Sequence, residues 1–137
     1  MTLTTYVNFA GRCAEAFEYY VTHLGGTIVM IARHGEVPGP RRMPDGWDQK
    51  VLHGRIVIGG LELLGADIPH AEPMRSAYLT LRVDDDATAE RVYAALAEQG
   101  QVFMPIAETP FASRFGQLRD RFGINWMILH ERPAPSR

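Results

Sequence analysis

The end of the chain carries three groups capable of acid–base or metal chemistry. Asp120, His130 and Glu131 lie within the segment FGQLRDRFGINWMILHE. Carboxylate and imidazole groups can act as general acid and base or as ligands of a divalent ion. Adjacent strand residues point to opposite faces, so His130 and Glu131 cannot form one ligand pair. Asp120 followed by Gly123 between two strand patterns is typical of a turn, and we predict a hairpin here.

Two further polar residues lie within strand patterns. His53 can act as a general base or donate to a bound anion, although a histidine bonded to the backbone is the more common arrangement. Asparagine is disfavoured in strands, so the Asn8 side chain is expected to have a partner, either neighbouring backbone or a ligand. Both residues are ligand-binding candidates.

Aromatic residues and one cation complete the candidate set. Trp47 lies in a segment rich in proline and glycine, residues 35–49, which we predict to be a long loop and a lid. Phe111, Arg114 and Trp126 would supply an aromatic wall and a positive charge, although a tryptophan on a last strand more often packs in the core. The ligand-binding candidates are Asn8, Trp47, His53, Tyr78, Phe111, Arg114 and Trp126.

The sequence offers no recognisable nucleophile, so the catalytic residues remain unassigned. Cys13 is the one cysteine, which excludes an internal disulfide and is typical of the reducing cytoplasm. A small buried hydrophobe is a more common role for it than a reactive thiol. No order of Ser, His and Asp or of Cys and His resembles a catalytic triad.

These residues are carried by an order of elements that occurs twice: strand, helix, strand, strand, strand. The predicted strands are residues 4–9, 27–33, 50–58, 61–66, 77–83, 101–108, 114–120 and 124–131. One helix covers residues 12–24, and the second follows the acidic run 84–86 and ends at Gly100. The predicted apolar face of the first helix is Ala14, Phe17, Val21 and Leu24, with Tyr20 flanking it, and that of the second is Ala89, Val92, Tyr93 and Leu96.

The repeated order predicts an α+β fold of paired βαβββ modules. Ala14-Glu15 recurs as Ala89-Glu90, and Gly25 recurs as Gly100 at the same offset. We predict a single domain, residues 1–137, with modules at about 1–70 and 76–132. Each helix would cover one face of a four-stranded sheet, and the other faces would curve around a cavity for a small ligand.

The composition of the chain limits the classes of partner that we expect it to bind. The chain has 137 residues, a net charge of −2 and 46% hydrophobic residues. Neither sign of charge dominates, so no nucleic-acid or membrane-surface footprint is present. The apolar runs are far shorter than the ~20 residues that span a bilayer, and no secretory signal is evident. We expect a cytoplasmic protein without a nucleic-acid or membrane partner.

The chain resembles the vicinal oxygen chelate superfamily of glyoxalases, bleomycin-resistance proteins and extradiol dioxygenases, and within it the PhnB-like branch. The resemblance covers nearly the whole chain and rests on four segments, YVNFAGRCAEAFEYY, HGRIVIGGLELLGAD, LRVDDDATAERVYAALAEQG and RFGQLRDRFGINWM. One departure is Phe111-Ala112, where the branch often has a Trp-Gly pair. The resemblance implies the glyoxalase/bleomycin resistance/dioxygenase fold and a homodimer.

The resemblance also locates a metal site. Metal-dependent members hold a divalent ion with His, Glu or Gln from four strands, and by strand register these positions fall near Thr5, Leu64, Tyr78 and Met127. A slip of one residue would give Tyr6, Leu63, Leu79 and either Trp126 or Ile128. Neither set can hold a cation, and Glu62 is the one acid nearby. We therefore predict no metal and no other cofactor.

Three functions remain open, as does the question of whether the protein is an enzyme. The leading hypothesis is a small-molecule binder that holds a partly apolar organic ligand without the usual metal. An alternative is a metal-dependent lyase, isomerase or dioxygenase of the glyoxalase type. A third is an antibiotic-sequestering resistance protein, for which an acidic cluster of Glu36, Asp45 and Asp48 is diluted by Arg41, Arg42 and Lys50.

Overall fold

The computed structural model describes residues 1–38 and 43–133 and contains two compact units, Met1–Ala71 and Glu72–Arg137. The first unit contains β1 (Thr5–Asn8), α1 (Cys13–Leu24), β2 (Thr27–Arg33), β3 (Val51–Ile58) and β4 (Leu61–Ala66). The second contains β5 (Leu79–Arg82), α2 (Asp86–Ala97), β6 (Gln101–Ala107), β7 (Ala112–Arg119) and β8 (Asn125–Glu131). All ten predicted elements are present, in the predicted order.

Each unit forms a mixed four-stranded sheet. The strand orders are β1-β4-β3-β2 and β5-β8-β7-β6. In both sheets the first pair is parallel and the other two pairs are antiparallel. A parallel pair needs a long crossover, and the helix with the next two strands provides it. The predicted α+β fold with a repeated βαβββ order is confirmed, whereas the predicted cavity stays a prediction.

Each helix packs on its sheet through an aromatic ring placed over glycine. A Cβ atom at Gly54 or at Gly65 would lie 2.8 Å from the ring of Phe17 in α1. In the second unit, a Cβ at Gly116 would lie 2.6 Å from the ring of Tyr93 in α2. Only glycine lets a ring approach the strand backbone this closely. These contacts identify the face of each sheet that its helix covers.

The predicted loop between β2 and β3 contains two short 3-10 turns, His34–Glu36 and Trp47–Gln49. Residues 39–42, including Arg41 and Arg42, lie outside the described residues. Within the described ranges, no helix has the length and apolar character needed to cross a bilayer.

Candidate functional site

Asp120 belongs to the hairpin between β7 and β8. Its buried carboxylate accepts the backbone N–H of Phe122 at 2.8 Å and of Ile124 at 3.0 Å. Its second oxygen accepts the indole N–H of Trp126 at 2.8 Å, and Gly123 completes the turn at φ +89°. Both oxygens therefore have structural partners, and the predicted hairpin is confirmed.

His130 belongs to a polar cluster at the start of α2. Its Nδ1 lies 2.8 Å from Asp86 Oδ1 and 2.8 Å from Ser113 Oγ, and Ser113 donates to Asp86 at 2.5 Å. A serine–histidine–aspartate relay uses the two ring nitrogens separately, whereas both contacts here involve Nδ1. The cluster is therefore a link between α2 and its sheet. Glu131 points the other way and pairs with Arg82 at 2.5 Å.

The hydrogen bonds from Ser113 and His130, with Arg114 nearby, hold the pKa of Asp86 below its usual value. Arg114 Nε donates to Glu90 at 2.8 Å, and its Nη1 lies 3.5 Å from Asp86. The structure thus places this candidate cation on the helix-covered face, where two acids neutralise it.

The other candidates of the second unit lie in three different environments. Trp126 is 3% exposed, which is the core arrangement. Phe111 is 56% exposed and makes an edge contact with Phe115 at a centroid distance of 5.1 Å. Tyr78 meets the ring of Phe103 edge-on at 6.4 Å. Phe115 alternates with Gly116, which faces α2, so the aromatic contact of Phe111 lies on the helix-free side of the second sheet.

The pairing of β1 with β4 shows which side chains lie on the face of the first sheet that α1 does not cover. Gly65 faces Phe17 of α1, so the alternate residues of β4, Glu62 and Leu64, point away from the helix. Tyr6 pairs with Leu64 in the parallel ladder and shares that face.

Of the two predicted alternatives on β1, Tyr6 rather than Thr5 lies on the helix-free face. Thr5 pairs with Leu63, on the side covered by α1, and Tyr6 takes the helix-free position instead. The choice between them follows from the two-residue period of a strand, because a slip of one residue moves a side chain to the opposite face.

Tyr6, Asn8 and His53 come together on this face. The rings of Tyr6 and His53 are stacked with a centroid distance of 6.1 Å and an interplanar angle of 25°. Asn8 Oδ1 accepts the backbone N–H of Ala10 at 3.0 Å and of Ile68 at 2.9 Å. The side chain of Asn8 therefore has the backbone partner that was one of its two predicted alternatives.

Trp47 lies against the first unit. Its ring is 6.2 Å from that of His34, and a Cβ at Gly11 would lie 3.7 Å from its six-membered ring. The candidate lid residue is thus half-buried beside the segment that leads into α1.

A buried carboxylate that the sequence did not single out organises the same region. Asp67, directly after β4, accepts the backbone N–H groups of Gly11 at 2.8 Å, Cys13 at 2.9 Å and Val51 at 2.8 Å. Its carbonyl oxygen lies 2.8 Å from Nε2 of His34. Burial, with Asp67 adding to it, raises the pKa of the Cys13 thiol well above its usual value, so Cys13 is no thiolate nucleophile.

The residues at the metal positions that the resemblance implies do not fit a metal ion. With Tyr6 in place of Thr5 these positions are Tyr6, Leu64, Tyr78 and Met127; Tyr6 pairs with Leu64, whereas Met127 pairs with Thr80 and Tyr78 precedes β5. Their side chains offer two phenols, an alkyl group and a thioether, which do not make a site for a divalent cation. Glu62 is ion-paired with Arg55. Within residues 1–38 and 43–133, no three His, Cys, Asp or Glu side chains are arranged to hold a metal.

Comparison with known proteins identifies relatives along the whole chain. The family model described as 3-demethylubiquinone-9 3-methyltransferase matches residues 1–129. Protein YjdN of Escherichia coli (strain K12) is 31% identical, with 99% of each chain covered.

Two solved structures are similar to this chain over nearly its whole length. Protein PA1353 of Pseudomonas aeruginosa has a TM-score of 0.85 at 38% identity, covering 97% of this chain and 99% of its own. The PhnB protein of Bacillus cereus has a TM-score of 0.79 at 25% identity, covering 95% and 99%.

A third solved structure has lower sequence identity and shows similarity of fold alone. A glyoxylase/bleomycin resistance protein/dioxygenase domain from Frankia sp. EAN1pec matches with a TM-score of 0.64 at 16% identity, covering 98% of this chain and 95% of its own. The chain therefore belongs to the PhnB-like family described as 3-demethylubiquinone-9 3-methyltransferase, and it has the glyoxalase/bleomycin resistance/dioxygenase fold.

Proposed function

We propose that this protein binds a small, partly apolar organic molecule against the helix-free face of its first sheet, without a metal ion. The observation that carries the proposal is the stacked pair of Tyr6 and His53. Tyr6 is 49% exposed, and an exposed aromatic surface beside polar groups is typical of a ligand site.

Polar groups around the stacked pair would orient the ligand. Burial raises the pKa of Tyr6, so its hydroxyl stays neutral and can donate at neutral pH. Because Asn8 Oδ1 is held by two backbone N–H groups, its side-chain NH₂ keeps a fixed orientation and can donate as well. His53 supplies a further ring nitrogen beside Tyr6.

The second sheet offers a similar surface near Tyr78. The guanidinium carbon of Arg119 lies 5.4 Å from the ring centroid of Phe103, which Tyr78 contacts. Arg119 is also fixed by Asn125 at 2.9 Å and by the carbonyl oxygen of Met74 at 2.8 Å. A held cation over an aromatic ring favours a planar ligand with a polar substituent.

The proposal is limited to binding. The family description names a methyl transfer, and the proposal does not include that reaction. The lone buried thiol of Cys13 supports a cytoplasmic location. The homodimer implied by the resemblance is part of the proposal.

Screening small aromatic and aliphatic compounds by isothermal titration tests the site. We expect hits with dissociation constants below about 1 mM that weaken roughly tenfold or more in Tyr6→Ala and His53→Ala. Tyr19→Ala, on the surface of α1, is the matched control and should leave affinity unchanged. Hits that bind all three variants as well as the wild type would place the ligand elsewhere and contradict the proposal.

The lid hypothesis needs a separate measurement. The ligand should change the fluorescence of Trp47, which is half-buried beside His34, more than that of Trp126 in the core. In Trp47→Phe we therefore expect the ligand-induced fluorescence change to be largely lost. An unchanged fluorescence response in this variant would contradict the hypothesis that Trp47 belongs to a lid.

Metal analysis separates the binder from the metal-dependent enzyme. Protein purified without chelator should contain well below one Zn, Ni, Mn or Fe per chain, because the positions of the superfamily site carry no suitable donors. Ligand affinity should also survive dialysis against EDTA. Stoichiometric metal, or binding lost on chelation, would favour the enzyme.

A further inference from the structure

An open cavity of the second unit lies between the segment that precedes β5 and the end of β7. Its volume is about 340 Å³, and its walls are formed by Glu72, Pro73, Met74, Arg75 and Arg119. We call it the Arg119 cavity. It contains no residue of the first unit, so a ligand there would not depend on the proposed site of the first sheet.

Met74 fixes one wall of the cavity to the hairpin between β7 and β8. Its backbone N–H donates to the carbonyl oxygen of Gly123 at 2.8 Å. Its own carbonyl oxygen accepts from Asn125 Nδ2 at 3.2 Å and from Arg119 Nη2 at 2.8 Å. The bond to Nη2 places the guanidinium group of Arg119 among the wall residues.

Arg119 is held in place and still has a donor for a ligand. Its Nε donates to Asn125 Oδ1 at 2.9 Å, and its guanidinium carbon lies 5.4 Å from the ring centroid of Phe103. Nη1 forms no hydrogen bond with any described residue. Nη1 is also not among the buried polar atoms that lack a partner, so it is accessible to solvent. A fixed guanidinium with an accessible N–H end suits the two oxygens of a carboxylate.

The charged groups of the wall favour an anion with a single charge. Arg119 and Arg75 are positive, and Arg75 is exposed without an ion pair to any described residue. Glu72 is also exposed and without such a pair, so the wall carries one net positive charge. A carboxylate would neutralise this charge, whereas a dianion would leave an excess negative charge beside Glu72. The apolar side chains of Pro73 and Met74 suit a small organic body attached to the carboxylate.

We propose that the Arg119 cavity binds the carboxylate group of a small organic acid. Nη1 of Arg119 donates to the carboxylate, and Arg75 supplies a second positive charge. Glu72 acts against dianions. Because the Arg119 side chain is already fixed by Asn125 and Met74, binding costs little of its conformational entropy.

Titration of the full-length chain with sodium benzoate, followed by ¹H–¹⁵N NMR, tests the proposal. The backbone amide of Met74 and the Nε–H of Arg119 should shift saturably with one midpoint. Benzamide has a similar shape without the charge and should bind roughly tenfold more weakly or worse. Sodium sulfate at equal ionic strength should bind roughly tenfold more weakly than benzoate as well, because of its second charge.

Charge variants of the wall should move the benzoate midpoint in opposite directions. Arg75→Gln should weaken benzoate binding by roughly three- to tenfold, and Glu72→Gln should strengthen it by roughly two- to fivefold. Both side chains are exposed, so neither change should disturb the fold. Arg91→Gln is the matched control, because it removes an exposed positive charge of α2 outside the wall. It should keep the wild-type midpoint within about twofold.

The proposal fails if benzoate produces no saturable shift up to about 100 mM, or if benzamide or sulfate shifts the two signals with the same midpoint as benzoate. It also fails if Arg75→Gln binds benzoate as tightly as Arg91→Gln does, or if Glu72→Gln binds it more weakly. Shifts confined to residues around Tyr6 and His53 would place benzoate on the first sheet and contradict this site while leaving the proposed function intact.

Discussion

At the scale of single residues, buried carboxylates in both units serve the fold rather than chemistry. Asp120 acts locally, since its partners lie two to six residues further along the chain. The turn signature that surrounds it is therefore readable from sequence. The carboxylate of Asp67 binds the backbone of Gly11 and Cys13, which lie 56 and 54 residues away in the sequence. A local sequence pattern does not predict contacts between residues so far apart in the chain. His53 was a candidate because PhnB-like proteins commonly carry histidine at this strand position, whereas the contact of His34 with the carbonyl oxygen of Asp67 joins residues 33 positions apart.

Replacing Asp67 by asparagine should destabilise the protein strongly. The carboxylate accepts three backbone N–H groups, and an amide NH₂ would face at least one of them donor to donor. We expect a loss of about 3 kcal/mol in the free energy of unfolding, measured by urea denaturation. Asp84→Asn, at an exposed position before α2, should change stability by no more than about 0.5 kcal/mol. Equal effects of the two variants would show that the Asp67 contacts contribute little.

The cluster of Asp86, Ser113 and His130 predicts a pH dependence. The pKa of Asp86 is lower in the folded chain than in the unfolded chain, so its stabilising effect is present at neutral pH and is lost as the pH falls through the folded value. Asp86→Asn should therefore be less stable than the wild type at pH 5, and the difference should shrink by about pH 3. Urea midpoints at both pH values measure it. A difference that is the same at both values would exclude this linkage.

At the scale of elements, the strands and helices follow from local pattern, but the rotation of a helix depends on its sheet. The buried face of α2, Ala89, Val92, Tyr93 and Leu96, is the predicted one. The predicted face of α1 is right for Phe17 and for Tyr20, which was predicted to flank it, and wrong for Ala14, Val21 and Leu24, since the buried residues are Cys13, Ala16, Phe17 and Tyr20. Phe17 must sit over Gly54 and Gly65, and small residues beside it let the helix approach. Those glycines lie on distant strands, so the periodicity of α1 alone could not give its rotation.

Gly65→Ala tests this packing. The added Cβ would lie 2.8 Å from the ring of Phe17 and 2.9 Å from that of Phe9, so the helix or the rings must shift. We expect a loss of about 1–3 kcal/mol in the free energy of unfolding by urea denaturation. In the Phe17→Leu background the same change should be less harmful, because the smaller side chain leaves room. Strictly additive losses would mean that Phe17 does not set the limit.

At the scale of the whole molecule, one sequence pattern builds two sheets of the same topology, and each ends in an exposed edge strand. β1 and β5 form one edge of their respective sheets, and the opposite edges are β2 in the first unit and β6 in the second. Both carry exposed apolar side chains, namely Val29 and Met30 on β2 and Val102 and Met104 on β6. Exposed apolar residues on a sheet edge are typical of a surface that pairs with another chain. The edges therefore support the homodimer that the family resemblance implies.

Sedimentation equilibrium tests the dimer and locates its interface. The wild type should sediment at twice the mass of the 15.3 kDa chain. One variant, Val29→Lys with Met30→Lys, introduces charge on β2, and a second, Val102→Lys with Met104→Lys, introduces charge on β6. The variant that alters the edge forming the dimer interface should become monomeric, while the other variant should stay dimeric. Arg82→Lys preserves charge at an exposed site and serves as the control. A wild type that is monomeric at every concentration would exclude the dimer, and a dimer that survives both edge variants would place its interface on another surface.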